Sequence, residues 1–474
     1  MQDAQGNRRG RPRVKSHSQD APTPSDLLTE PLAGRVASES RQIPDALALM
    51  VLALVTYATI ERGAFFEPAS GLVTATSLVA LALGTSTQRA KGRLTRVEAS
   101  LLLFASFWWG SALLHHDAAS FEPLAASAAS MAAASFALRI ASPRTRRFGL
   151  CCVVAISAAT GLVGMIACDA RLYPFAMRAQ NLWRLSGTLT YANAAGLLMG
   201  IGVVVALNLD DVPASWQRLT VAASVGGLVA TQSRGAAIAT MTALLLFARH
   251  QAKDQLTPIL LGLSAGLFTV AASAADGIAP AVAFAGSLVS LAIATSGLSA
   301  RSGRFSRVRA HTRLSRRWFA LAGGLILASA LGILVRHEIL TRLNEGSSVA
   351  RLQTWASSWT AWTHSFWLGV GPDQPIVVSN VKGTFAFFAH NEYLQIATGG
   401  GVLCLAVLTF VLHSLVRGAS QYHWRGRMVP GVLLVLGIAG SVDFVWHLPA
   451  LMMLVGVVLG ASTEPHPKGY LEQV

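Results

Sequence analysis

Apolar runs long enough for a membrane helix recur along this chain from Leu47 to Gly460, each closed by a short polar break. The runs do not alternate polar with apolar positions, which argues against a β-barrel. In hydrocarbon the backbone must satisfy its own hydrogen bonds, so each run predicts a helix. The pattern places spans at 44–60, 69–88, 98–114, 122–140, 148–168, 191–209, 218–232, 235–249, 256–275, 278–299, 317–336, 391–416, 428–443 and 447–462. The expected fold is therefore an all-α polytopic membrane protein with about 12–14 transmembrane helices.

The tail ahead of the first run, Met1 to about Arg41, is rich in Pro, Ser, Gln and Arg and poor in large apolar side chains. Such a composition predicts disorder, and the tail is too long and polar for a cleaved signal peptide. The formal charge of +15 does not indicate nucleic acid, because the basic residues alternate from loop to loop. With the tail inside, 29 of the 38 Lys and Arg fall on inner segments, while the acids divide 12 to 11. That bias in Lys and Arg alone is the positive-inside pattern. Cys151, Cys152, Cys168 and Cys404 all lie in or at the ends of apolar runs and read as small packing residues.

Parity leaves two long outer loops, about Asp169–Thr190 and His337–Ala389. His390 opens the span that leaves the second, in Phe388-Ala389-His390-Asn391-Glu392-Tyr393-Leu394. Polar groups crowded into the first turn of a membrane helix are costly and mark a candidate site. Few basic residues share that outer face. Arg62, Arg336, Arg342 and Lys382 read as boundary or loop charges, and Arg171 and Arg178 share the first long loop with Arg184. Arg184 stands in Trp183-Arg184-Leu185-Ser186-Gly187-Thr188, shortly before Tyr191-Ala192-Asn193, and could simply snorkel. Arg234, in Thr231-Gln232-Ser233-Arg234-Gly235, is held near membrane depth by a very tight turn, with pairing to Glu392 as the structural alternative. Arg351 begins a segment whose Leu352, Trp355, Trp359, Trp362 and Phe366 form one helical stripe, which predicts an amphipathic interfacial helix. Gly369-Val370-Gly371-Pro372-Asp373 then makes a turn.

Guanidinium forks suit phosphate oxyanions, and an imidazole can accept a proton near neutral pH. Together they suggest a lipid-linked diphosphate electrophile and a hydroxyl nucleophile, with His390 as base. No zinc-ligand spacing or phosphate-binding loop occurs, so no metal or other cofactor is expected. A His115-His116-Asp117 trio reads as a wet loop, and Asp443, near Trp446 and His447, as a simple cap.

Four blocks carry a family resemblance. His390-Asn391 followed after nine residues by Gly401, Arg184-x-x-Gly187-Thr188 with Asn193, Ser233-Arg234-Gly235, and Arg351…Trp355…Gly369-Val370-Gly371-Pro372 resemble, in order, the O-antigen ligase and Wzy-type O-antigen polymerase superfamily. The resemblance implies a metal-independent membrane glycosyltransferase of GT-C-like class. Such enzymes move a glycan from a polyprenyl diphosphate carrier to an acceptor hydroxyl on the outer face of the cytoplasmic membrane. By position, His390 is the implied base, and Arg184, Arg234 and Arg351 the implied diphosphate ligands. Asn391, Gly187, Thr188, Asn193, Ser233, Gly235 and Gly401 support them. The implied partners are the lipid-linked glycan donor, a glycan, lipid or protein acceptor, and the bilayer, with no nucleic acid. Asp373-Gln374 departs from the family pattern, and the basic tail is unusual.

The implied organisation is a disordered cytoplasmic tail (1–43), N-terminal helices (44–168), a ligase-like catalytic region (169–416, including the outer loop 337–389), C-terminal helices (417–463) and a short cytoplasmic tail (464–474). The alternative is a transporter or flippase of lipid-linked glycans. It would place ionisable residues near the midplane and repeat its halves, whereas the ionisable residues here sit at span ends.

Overall fold

The computed structural model describes residues 26–87, 93–115, 123–179, 182–209, 212–248, 251–252, 255–274, 279–295, 347–372, 376–377, 385–386, 388–421 and 427–463. The chain divides into two compact units, Met1–Ile43 and Pro44–Val474, and all that follows on packing concerns the second. The helices are α1 Asp26–Ile60, α2 Ala69–Thr87, α3 Arg96–Leu114, α4 Pro123–Ile140, α5 Pro143–Asp169, α6 Ala192–Leu207, α7 Ala214–Thr231, α8 Arg234–Phe247, α9 Leu256–Ala274, α10 Ala279–Thr295, α11 Ser347–His364, α12 Glu392–Gln421, α13 Met428–Gly440 and α14 Pro449–Ala461. Two short antiparallel pairs complete the described residues, β1 Ala176–Ala179 with β2 Leu182–Leu185, and β3 Ile376–Val377 with β4 Phe385–Ala386.

This is an all-α polytopic membrane protein. Seven of the described helices are long and apolar enough to cross a membrane. α6, α8, α13 and α14 are apolar but shorter, and so is Ala285–Ala294 within α10. Every expected span that falls on described residues coincides with a helix. The span 317–336 lies outside the described residues, as do Arg336, Arg342, Asp373, Lys382, His116 and Asp117. α1 begins at Asp26, inside the polar segment, where Leu, Ala, Glu and Arg favour helix; residues 1–25 lie outside the described residues.

Burial sorts the helices. α6 is buried around nearly its whole circumference, and almost every residue of α4 and α14 is buried too. An all-round apolar helix belongs in the centre of a bundle. α4 packs on α14, α3 and α2, and α6 packs on α7, α5 and α8. Side-chain caps fix the starts of α3 and α5. Thr95 and Glu98 form a capping box at the start of α3, and Ser142 caps α5 ahead of Pro143.

Gly369 and Gly371 of the second long loop meet α12 in one joint. α12 breaks at Gly401, whose φ of 66° only glycine adopts easily and where a Cβ would lie 2.3 Å from the Trp367 carbonyl oxygen. Val402 N–H therefore donates to Phe366 O at 2.9 Å. The carbonyls of Thr398 and Gly399, freed by the break, accept from Val370 N–H (2.8 Å) and Gly371 N–H (3.1 Å). The Gly-Val-Gly-Pro turn and Gly401 are thus two halves of a single backbone contact that seats α11 on α12. α11 buries Thr354 and Ser358 and leaves Leu352, Trp359 and Phe366 exposed, continued by exposed Trp367 and Leu368.

The Glu98–Arg139 ion pair joins α3 to α4. Glu98 is fully buried and accepts from Arg139 Nε at 2.9 Å and Nη2 at 2.8 Å, with Ser135 Oγ at 3.3 Å. Removing one partner of a buried pair strands the other charge, at about 3–5 kcal/mol. Glu98→Ala is expected to lower the melting temperature in detergent by a corresponding amount. The apolar double replacement Glu98→Leu/Arg139→Met is expected to recover most of it. An unchanged melting temperature in Glu98→Ala would mean that the pair contributes nothing to the fold.

Candidate active site

The site is organised by the turn between α13 and α14, Ser441-Val442-Asp443-Phe444-Val445-Trp446-His447. Asp443 is buried and collects donors from three other segments of the chain. His390 Nδ1 lies 3.0 Å from Oδ1 and donates to it, since a carboxylate only accepts. Tyr191 O–H donates to the same oxygen at 2.6 Å. Asn193 Nδ2 donates to Oδ2 and also to Tyr191 Oη at 3.2 Å. Arg351 Nη2 stands 4.0 Å from Oδ2 and its Nη1 donates to Val442 O at 3.1 Å. Burial alone would raise the Asp443 carboxyl. The hydrogen bonds from His390 and Tyr191, with the charges of His390 and Arg351, outweigh burial and hold it below the usual carboxylate value.

His390 sits just ahead of α12 with a left-handed φ of 52°. For a residue with a Cβ this costs roughly 1–2 kcal/mol and persists only where the surroundings fix it. Here they do. Asn391 Nδ2 donates to Ser441 O at 2.9 Å and its Oδ1 caps Leu394 N–H at 3.0 Å, tying the mouth of α12 to the same turn. The Phe444 ring meets the imidazole edge-on with centroids 5.1 Å apart. The side chain of His390 remains 35% exposed while Asp443 is 5% exposed. With Nδ1–H committed to Asp443, Nε2 carries the lone pair and is the nitrogen left for chemistry.

Arg184, on β2, does not snorkel. Its Nε donates to Thr231 O and its Nη2 to Asn193 Oδ1, both at 3.0 Å. Burial lowers the Arg184 guanidinium. Tyr191 and Asp443 pull it back, and the like charges of Arg351 and Arg234 push it down further. The charges of Arg351 and Arg234 thus reach Arg184 at this end of the bundle. Arg234 begins α8, capped by Ser233 Oγ, and is exposed. Among the described residues it has no hydrogen-bond or ion-pair partner, and the Glu392 carboxylate pairs instead with His447 at 3.1 Å. Gly235 packs on the hub turn, where a Cβ would lie 2.6 Å from Val442 Cγ2.

The remaining expected residues serve in other ways. Gly187 and Thr188 lie in the short 3-10 turn Gly187–Leu189. Gly401 lies about nine residues into α12, ~14 Å along the helix from its mouth by helix rise, and shapes the joint rather than the site. Asp443 is more than the cap its sequence context suggests, and the apolar pattern points to neither Tyr191 nor a Glu392–His447 pair. The available signal was an acid and a histidine in one short outer turn next to aromatic residues. Among the described residues no group of three His, Cys, Asp or Glu is placed to hold a metal ion.

Comparison with known proteins bears on the same region. Residues 219–409 match the family model described as O-Antigen ligase. A curated "O-antigen ligase" of Pseudomonas aeruginosa is 31% identical over 191 residues, covering 38% of this chain and 43% of that protein. The chain thus matches less than half the length of that relative. Arg234, Arg351, His390 and Gly401 fall inside the family match, whereas Arg184, Asn193 and Asp443 fall outside it.

A depressed Asp443 contributes stability that is complete above its unfolded value, about pH 4, and is lost as pH falls through the lower folded value. The melting-temperature gap between the wild type and Asp443→Asn is therefore expected to be largest near neutral pH and to close below about pH 4. A gap that persists unchanged into that acid range would contradict the assignment.

Proposed function

We propose that this protein is a membrane glycosyltransferase of O-antigen ligase or polysaccharide polymerase type, acting at the outer face of the cytoplasmic membrane. It would transfer a glycan from a polyprenyl diphosphate carrier to an acceptor hydroxyl. The observation that carries this reading is the His390–Asp443 contact of 3.0 Å set among Arg184, Arg234 and Arg351. The similarity of residues 219–409 to O-antigen ligases supports it.

The chemistry follows from the geometry. Three guanidinium groups near the single Asp443 carboxylate leave an excess of positive charge, and an anion with several oxygens relieves their repulsion. A diphosphate supplies such oxygens, and it is a good leaving group once its growing charge is neutralised. His390 Nε2 takes the proton of the acceptor hydroxyl. The hydroxyl oxygen forms a bond to the anomeric carbon of the donor sugar. The bond from that carbon to the diphosphate oxygen breaks, and its electron pair leaves with the polyprenyl diphosphate. Asp443 holds the imidazole in the tautomer this step requires and balances the imidazolium that forms. The arginines stabilise the leaving group through their planar, multiply donating forks.

The test uses purified full-length protein with lipid-linked glycans and acceptors extracted from the producing cell's envelope, read as release of polyprenyl diphosphate. His390→Ala is expected to lower turnover by about 10²–10⁴-fold, the contribution of a positioned base, with normal expression and membrane insertion. Arg234→Lys is expected to be impaired as well, because an ammonium lacks the planar fork. Wild-type turnover in His390→Ala would remove the base assignment, and wild-type turnover in Arg234→Lys would assign Arg234 a packing role.

A further inference from the structure

Behind the His390–Asp443 pair lies a second imidazole–carboxylate pair. Glu392, two residues after His390, is fully buried. Its carboxylate accepts the Trp446 backbone N–H and faces His447 Nδ1, at 3.1 Å from one oxygen and 3.4 Å from the other. His447 is equally buried. Neither side chain can reach a substrate.

The two pairs are reciprocal. Segment 388–392 supplies His390 to Asp443 and Glu392 to His447, and segment 443–447 supplies one acid and one imidazole in the opposite order. Between the pairs lies an aromatic stack. Phe388 and Phe444 are parallel with centroids 4.3 Å apart, and Phe444 also stacks on Tyr191 at 5.0 Å. His447 meets Phe388 edge-on at 5.2 Å, as His390 meets Phe444. Trp446, whose backbone Glu392 holds, is fixed in turn by its indole N–H to Leu436 O at 3.2 Å and by the Tyr393 ring. The place of Asp443 under His390 is therefore set by the contact that fastens the far end of its own turn. The strained backbone of His390 gives this consequence, since a left-handed residue keeps its conformation only while its neighbours hold it.

We propose that Glu392 and His447 are positioning residues for His390, acting through the 443–447 turn to keep Asp443 against Nδ1. The proposal rests on the transfer reaction above. If Glu392 and His447 act through Asp443, losing them misdirects the imidazole and slows the proton-transfer step. Donor binding, which depends on the arginines, is left alone.

The experiment measures kcat and KM for lipid-linked glycan in the full-length protein, with melting temperature as the check on folding. Glu392→Gln and His447→Leu are expected to lower kcat by about tenfold, the scale on which partners of an active imidazole act, with KM unchanged. His447→Gln, which keeps a side-chain N–H toward Glu392, is expected to regain most of the rate. Glu392→Gln combined with Asp443→Asn is expected to be no slower than Asp443→Asn alone, because both act through one imidazole. Wild-type kcat in Glu392→Gln, or a loss that multiplies with that of Asp443→Asn, would overturn the proposal. If His447→Leu does not fold, Glu392→Gln and His447→Gln decide it. Wild-type turnover in His390→Ala would instead sink the transfer reading itself. An inactive His390→Ala beside a fully active Glu392→Gln would sink only the positioning role.

Discussion

The Asp443 carboxylate is the contact on which the site depends. It draws together four stretches of chain that lie far apart in sequence: the segment before α6, the start of α11, the mouth of α12 and the turn between α13 and α14. A buried carboxylate is costly unless its lone pairs are filled. Here Tyr191, Asn193, His390 and the backbone N–H of Phe444 fill them. The same bonds that make burial tolerable orient the imidazole, so the packing of this end of the bundle and the geometry of His390 rest on one group.

The arginines pose the opposite problem. Arg184 is anchored by Thr231 and Asn193, Arg351 leans on the hub turn, and Arg234 is left without a partner among the described residues. Positive charges brought together in this way destabilise an unliganded protein and favour a multivalent anion. An imidazole oriented by Asp443 beside such a cluster suits a reaction in which a hydroxyl loses a proton while an anionic leaving group departs.

Much of this was legible in the sequence. The apolar runs located each described transmembrane helix, because a lipid-facing or buried helix must be apolar throughout its length. His390, Arg184 and Arg234 were legible because charge is rare at such places and loop parity put them on one face. What the sequence could not supply was pairing. Asp443 lies in a span-end turn where a capping role is the ordinary outcome, and its partner His390 is reached only once α12 and α13 pack. For the same reason the sequence allows the Glu392 carboxylate as a partner for Arg234, whereas packing gives it to His447. The Gly401 motif was legible as a pattern, but its meaning as a backbone joint with Gly369 depends on a contact between α11 and α12.

The position of a bound diphosphate decides whether the three arginines and His390 form one site. A cryo-electron microscopy structure of the full-length protein with a non-transferable polyprenyl diphosphate analogue would locate the phosphates. Both phosphates are expected within hydrogen-bond reach of Arg184, Arg234 and Arg351, with His390 Nε2 facing the open side and Nδ1 still on Asp443. Phosphates bound away from these guanidinium groups, or His390 turned from Asp443 in the complex, would contradict that single site.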